Sequence, residues 1–466
     1  MQMNSFDTKP GQNLGTHYNY NKGYVLLISL IAAMGGLMFG FDLGIITGVI
    51  PFIQKQFHLE SFMLGWVVAI FEVGCMAGTF LTAWLTDKYG RKKTLIFTAF
   101  ILILTTIAVA LSQNAFDLAG WRFAQGIGVG AASVLSPMYI AEIAPASIRG
   151  KLVTTNQLTI ILGILLATIV SYYFGDPNNV ESWRWMFGAA AIPATIFFVA
   201  LFVIPESPRW LVKAHFNDKA EKVLKKIGDD DFAQKELTEI VESLKSNTKQ
   251  GSYKQLFGKV LLPTLLIGFG LATLQQFSGA NSVTAYMQMI FEKANINIKD
   301  GLLNAVFVGL VFFLFTILAI ALIDRMGRKK LMLVGTSGMA LMLFLLAWSF
   351  DSANVNGTIV FIFVMAYIGI YAFTLAPVTW VLLSEIFPNH IRSKALSLAS
   401  CVLWLATFLV VFISPYLLKL SPVVNFSIFG VCNIIGFFFV WRWVPETKGK
   451  TLEELETMLT GTGAML

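Results

Sequence analysis

Three charged motifs occur twice in this chain, in the same order and at nearly one period. Asp87-Lys88-Tyr89-Gly90-Arg91-Lys92-Lys93 returns 237 residues later as Asp324-Arg325-Met326-Gly327-Arg328-Lys329-Lys330. Glu142-Ile143-Ala144-Pro145-Ala146-Ser147-Ile148-Arg149-Gly150-Lys151 returns after 243 residues as Glu385-Ile386-Phe387-Pro388-Asn389-His390-Ile391-Arg392-Ser393-Lys394. Pro205-Glu206 returns after 240 as Pro445-Glu446. Each motif lies at the end of an apolar stretch. The pattern predicts two duplicated membrane halves, the architecture that many transporters build around a central site.

Charged residues make up 13% of the chain and hydrophobic ones 56%, about half the charge of a soluble domain, for which roughly 25% is usual. Apolar runs of about 20 residues mark spans. Twelve are expected, six per half, and the seventh is a single run over 260–290. The boundaries read as a tail at 1–22, a first half at 23–205, a linker at 206–259, a second half at 260–445 and a tail at 446–466. The net charge of +7 is a topology signal rather than a sign of nucleic acid. Of the Lys and Arg residues, only Lys55, Lys293, Lys299 and Lys419 fall on the face opposite the motifs, while Arg122 and Arg184 fall in or beside spans. Both termini and all the motifs are therefore expected in the cytoplasm.

Residues 1–22 are polar and lack the apolar core of a signal peptide. Cys75, Cys401 and Cys432 fall inside spans and form no disulfide or metal pattern. No cofactor is expected. The linker carries apolar residues at helical spacing (Ala220, Val223, Leu224 and Ile227, then Leu237, Ile240, Val241 and Leu244), which predicts two or three short amphipathic helices. Thr451-Leu452-Glu453-Glu454 opens a short tail helix to Leu459 with a capping-box pattern. Gly126-Ile127-Gly128-Val129-Gly130 follows a helical pattern rather than a strand, so it is not a nucleotide loop.

Asp42 lies in the middle of the first span, and an ionisable residue at that depth is a functional candidate. Arg122 in the fourth span is its natural partner. Burial and an adjacent guanidinium act in opposite senses on a carboxyl group, which is what a proton-coupling switch requires. A permanent structural ion pair is the alternative. Glu72, in the second span, either pairs with an arginine or faces a packed helix.

A neutral polar set follows: Gln157, Gln275, Gln276, Asn281 and Asn304, with Trp380 and Trp404. Amides offer donors and acceptors together, as a sugar's hydroxyls do, and indole stacks on the C–H face of a pyranose. Gln275 and Asn281 lie within two turns and are expected to share one broad helix face. Interhelical hydrogen bonding is the alternative use of each amide. Asp87, Arg91, Glu142, Arg149, Glu206, Arg209, Asp324, Arg328, Glu385, Arg392 and Glu446 collect on one face. There they are expected to form a gate network at the seam between the halves.

These motifs resemble the sugar porter family of the major facilitator superfamily over almost the whole chain. The resemblance rests on Pro205-Glu206-Ser207-Pro208-Arg209-Trp210, Gln275-Gln276-Phe277-Ser278-Gly279-Ala280-Asn281, Trp380 to Pro388 and Pro445-Glu446-Thr447-Lys448-Gly449. The likeness is greatest to bacterial D-xylose/proton symporters and extends, more distantly, to glucose facilitators. It implies an all-α membrane protein of twelve helices, with short cytoplasmic helices between the halves and at the C-terminus. It also implies sugar contacts from Gln157, Gln275, Gln276, Asn281, Asn304, Trp380 and Trp404, and proton coupling through Asp42 with Arg122. Proton-coupled members carry Asp at the position of Asp42, where facilitators carry Asn. Departures from the family pattern are Ala83, Ala285, Ala376, Leu403 and Thr407.

The expectation is a monomeric importer of a monosaccharide with a proton, in a plasma membrane of bacterial inner-membrane type. It is not an enzyme. The alternatives are a uniporter with a structural Asp42, a polyol symporter, and a non-transporting sensor.

Overall fold

The computed structural model describes residues 20–246, 253–352, 354–388, 391–450 and 454. The expected tail helix over 451–459 lies outside the described residues. The chain is helical wherever regular structure is described, apart from one isolated bridge between Tyr20 and Gly228.

In the first half, α1 (Lys22–Phe57) and α2 (Ser61–Tyr89) follow one another through a short connection that begins at His58. Then come α3 (Arg91–Ala110), α4 (Ala115–Ile143) and α5 (Arg149–Phe174). Two shorter helices, α6 (Ser182–Ala189) and α7 (Ala191–Ala200), complete the sixth crossing. The side chain of Asn114 caps α4 by accepting the Asp117 N–H at 2.9 Å. Small residues set the packing. A β-carbon on Gly40 would lie 1.7 Å from the Ile160 carbonyl, and one on Gly163 would lie 2.2 Å from that of Leu37. Only glycine therefore lets α1 and α5 approach so closely.

The linker contains α8 (Pro208–Lys213), α9 (Asn217–Ile227), α10 (Asp230–Ser246) and α11 (Tyr253–Leu256). Ala220 packs with Leu211 and Val212, flanked by Val223, Leu237, Ile240, Val241 and Leu244. These are the apolar positions whose spacing predicts the amphipathic helices.

The second half departs from the expected single seventh span. The run over 260–290 is broken into α12 (Leu262–Phe277), α13 (Ala280–Ala285) and α14 (Met287–Lys293). The first break is at Gly279, whose φ of 94° suits glycine and where an added β-carbon would lie 2.8 Å from the Phe429 ring. The polar groups freed there are satisfied. The Ser278 carbonyl accepts from the Tyr367 hydroxyl and from the Asn433 amide, both at 2.9 Å, as backbone breaks at membrane depth demand. Next come α15 (Ile298–Met326), α16 (Arg328–Asp351), α17 (Gly357–Phe373), α18 (Leu375–Ile386), α19 (Arg392–Leu420) and α20 (Pro422–Trp443). Among the described residues, eleven helices or successive pairs are long and apolar enough to cross a bilayer. The broken run is the twelfth crossing.

Candidate functional site

The charged motifs form two clusters of one design at the same end of the bundle. Gly90 and Gly327, with φ of 91° and 88°, turn the chain between α2 and α3 and between α15 and α16. Beyond each glycine, a carboxylate caps the next helix. Glu206 accepts the N–H of Arg91 at 2.8 Å and of Lys92 at 3.0 Å, and Glu446 accepts those of Arg328 at 2.9 Å and Lys329 at 3.2 Å. The negative charge faces the positive end of the helix dipole. Each arginine then reaches a second acid. Arg91 grips Glu142 with two parallel bonds of 2.8 and 2.9 Å, and Arg328 donates to Glu385 at 3.1 Å. The hydroxyls of Ser207 and Thr447 donate to the same two carboxylates. Burial pushes the Glu206 carboxyl above its usual value, against the backbone N–H groups of Lys92, Ser207 and Arg91, which hold it down.

These described ion pairs all close within one half. The expected bridging at the seam is not what they do in this conformation. Asp87 pairs with Lys213 at 2.9 Å, Arg149 reaches Glu236 of the linker at 3.8 Å and Arg392 donates to the Phe387 carbonyl at 3.1 Å. Arg209 is exposed, and the side chain of Asp324 is outside the described ones. The halves instead meet at the opposite end. Thr47 donates to the Thr284 carbonyl at 2.7 Å, and Lys299 donates to the carbonyls of Tyr172 and Gly175 at 2.6 and 3.1 Å. These hydrogen bonds close the molecule at that end.

Between the two ends lies the polar centre. Arg122 donates to Asp42 at 2.6 Å and to Gln125 at 3.0 Å, and its guanidinium lies 4.2 Å from the centre of the Phe71 ring. Both members are buried, at 2% and 4% exposure. Such a pair holds firmly while both charges remain and is strongly destabilised when one is removed.

The amides of α12 and α13 form a directed chain. Asn281 donates to Gln276 at 2.5 Å, Gln276 to Gln275 at 3.4 Å, and Gln275 to the Leu375 and Ala376 carbonyls at 3.4 and 3.3 Å. The helix break at Gly279 corrects the expected shared face, because Asn281 sits on a separate helix and its amide meets Gln276 rather than Gln275. Each amide retains donor or acceptor capacity for a further partner. Gln157 on α5 and Asn304 on α15 are partly exposed and have no protein hydrogen bond among the described residues. Trp380 is 43% exposed, and Trp404 meets Phe39 of the other half edge-on at 5.9 Å.

The two polar groups share one cavity. It has a volume of about 20 Å³ and is lined by Asp42, Glu72, Arg122, Asn281 and Thr284 among others, room for about one water. Sequence reasoning left Glu72 between two roles, and the fold brings it to this cavity beside the pair. It passed over Tyr367 and Asn433 altogether. The signal that points to them is the glycine after Ser278, whose bend leaves a carbonyl to be satisfied.

Residues 28–459 match the family model described as "Sugar (and other) transporter". The chain is 36% identical to the arabinose-proton symporter of Bacillus subtilis over 462 residues, covering 98% of this chain and 99% of that one. Its structure is similar to the inward-open conformation of the xylose transporter XylE from Escherichia coli, with a TM-score of 0.83 and 36% identity over 94% of this chain and 100% of the other. A structure of the proton:xylose symporter XylE, of the major facilitator superfamily, bound to 6-bromo-6-deoxy-D-glucose matches at a TM-score of 0.78. Identity is 36%, over 94% of this chain and 100% of that one.

Proposed function

This chain belongs to the sugar transporter family of the major facilitator superfamily, and from that premise we propose that it imports a monosaccharide together with a proton by alternating access. The observation that carries the reading is the cavity joining the buried Asp42–Arg122 pair to Asn281 of the amide chain. A proton on Asp42 removes the charge that holds Arg122. Arg122 already bonds Gln125 and keeps that partner when Asp42 is neutral. The loosened α1–α4 contact then changes the wall shared with the sugar site.

The sugar is bound by Gln157, Gln275, Gln276, Asn281 and Asn304 through its hydroxyls, and by Trp380 and Trp404 through its C–H face. A pentose or a hexose of the xylose or glucose type fits this lining. The proton and the sugar must each favour the occluded state, because a ligand shifts such an equilibrium only by its differential affinity. The gate residues are Asp87, Arg91, Glu142, Arg149, Glu206, Arg209, Asp324, Arg328, Glu385, Arg392 and Glu446. They hold each half's charged end as a rigid unit while the halves rock. The seal at the Thr47–Thr284 end supports an inward-facing state for this structure. The protein is a monomer in the bilayer of a bacterial inner membrane, with both termini cytoplasmic and its boundaries near residues 23, 205, 260 and 445.

The test is uptake of labelled xylose and glucose into proteoliposomes, with and without an inward proton gradient, by the wild type and Asp42→Asn. Accumulation by the wild type alone, with sugar exchange kept in the variant, is the expected outcome. Gradient-independent equilibration by both would make the protein a uniporter and Asp42 a structural partner of Arg122.

A further inference from the structure

The Asp42–Arg122 pair has a third member. Glu72 on α2 is 5% exposed, lines the same cavity, and its Oε2 has no hydrogen-bond partner in the protein. Oδ2 of Asp42 likewise has none. Two carboxyl groups thus share a water-sized space with one guanidinium, which is 2.6 Å from Asp42. Two buried carboxylates beside a single positive charge leave one negative charge uncompensated, and that state is disfavoured against binding a proton. The triad therefore holds one proton at rest. Arg122 already neutralises Asp42, so the proton sits on Glu72.

The position of Glu72 along the bundle gives that proton a direction. Glu72 is eleven residues from the start of α2, and Asp42 is fifteen residues from the end of α1, where the two helices join. Glu72 is thus about one turn, roughly 6 Å, nearer the joined end. That end is the one sealed by Thr47 and Thr284, and Thr284 also lines the cavity. The titratable and charged groups facing Glu72 are Asp42 on α1, Arg122 on α4, Tyr286 between α13 and α14, and Cys75 on its own helix. Tyr286 is committed to the Val411 carbonyl of α19 at 2.8 Å. Asp42 is the carboxyl left to receive a proton from Glu72.

Resting on the symport reading, we propose that Glu72 is a second proton-carrying residue, which takes the proton when the joined end opens and passes it through a water in the shared cavity to Asp42. In that step the O–H bond at Glu72 breaks as one forms at Oδ2 of Asp42. The water between them gives up one proton and receives another. The triad keeps its net charge, and Arg122 exchanges Asp42 for Glu72 as its carboxylate partner. Glu72 is then protonated again from the joined end, while Asp42 delivers its proton towards the charged end.

The experiment compares wild type, Glu72→Gln and Glu72→Asp in proteoliposomes, reading sugar exchange at equal pH and gradient-driven accumulation across a range of external pH. Infrared spectra of the purified wild type and Glu72→Gln are recorded alongside. The expected result is that Glu72→Gln loses accumulation to a much greater extent than exchange, with partial recovery of accumulation in Glu72→Asp, which keeps a carboxyl. The wild type should also show a protonated-carboxyl band at neutral pH that Glu72→Gln lacks. Wild-type accumulation and pH profile in Glu72→Gln would overturn the relay, because a permanently neutral group would then suffice. So would persistence of the band, or loss of exchange in both variants. If the wild type itself fails to accumulate sugar against a gradient, the symport reading falls and the relay with it. Failure confined to the variants leaves symport standing.

Discussion

The two charged ends and the two membrane centres of this molecule tell opposite stories. At the ends, the halves are copies: Glu206 and Glu446 cap helices after a positive-φ glycine, and Arg91 and Arg328 hold Glu142 and Glu385. At the centres, the halves share little. The first supplies Asp42, Glu72 and Arg122. The second supplies the amides, and Gln275-Gln276 lies 240 residues beyond Gly35-Gly36. The ends of both halves must meet the same helix-capping demand, so one solution serves twice. The centre holds one site, so a second copy of either polar group would only add buried polar atoms in need of partners.

The sharpest break of this comparison is at Arg122. Arg122→Leu leaves two buried acids without a counter-charge and should lower stability by about 3–5 kcal/mol, read as thermal unfolding in detergent. Adding Asp42→Leu should restore most of that loss, because an apolar pair replaces the stranded charge. The likeness of the ends is tested next. Glu142→Gln and Glu385→Gln each weaken charge-assisted hydrogen bonds and should each destabilise by about 1.5–3 kcal/mol. The two effects should add, since the sites share no described partner. A much larger effect in one half would show that the clusters are alike in geometry only.

Smaller effects sharpen the contrast at the centre. Gln276→Ala interrupts the amide chain and should weaken xylose binding by about 1 kcal/mol, roughly fivefold in Kd, by equilibrium binding to the purified protein. The stability cost of Arg122→Leu should have no counterpart there, because Gln276 is neutral. At the lower limit, Gly120→Ala should change stability by less than about 0.5 kcal/mol, since an added β-carbon meets nothing within 4 Å.

Much of this was legible in the chain, for reasons that can be named. The repeated turns were visible because the glycine and the arginine of each stand side by side in the chain, and because Pro205-Glu206 and Pro445-Glu446 repeat at nearly the same period. The Asp42–Arg122 pair was visible because a lone charge in an apolar span has few possible partners. The linker helices followed from their apolar spacing. The broken seventh span was not read, because an apolar run looks alike whether or not Gly279 bends it. Tyr367 and Asn433 were invisible for the same reason, since their task exists only once that bend frees a carbonyl.

The sequence by itself determined the class of protein, the duplication and the chemistry available at each depth, because bilayer length, backbone hydrogen bonding and charge burial act on the chain locally. Only the tertiary structure decided which groups meet: that Arg91 pairs with Glu142 and Arg328 with Glu385, that Asn281 reaches Gln276 across a helix break, and that Glu72 shares a cavity with Asp42 and Arg122. Those meetings depend on how helices distant in sequence rotate and approach one another. Glycine contacts such as Gly40 against Ile160 set that approach, and it has no local signature.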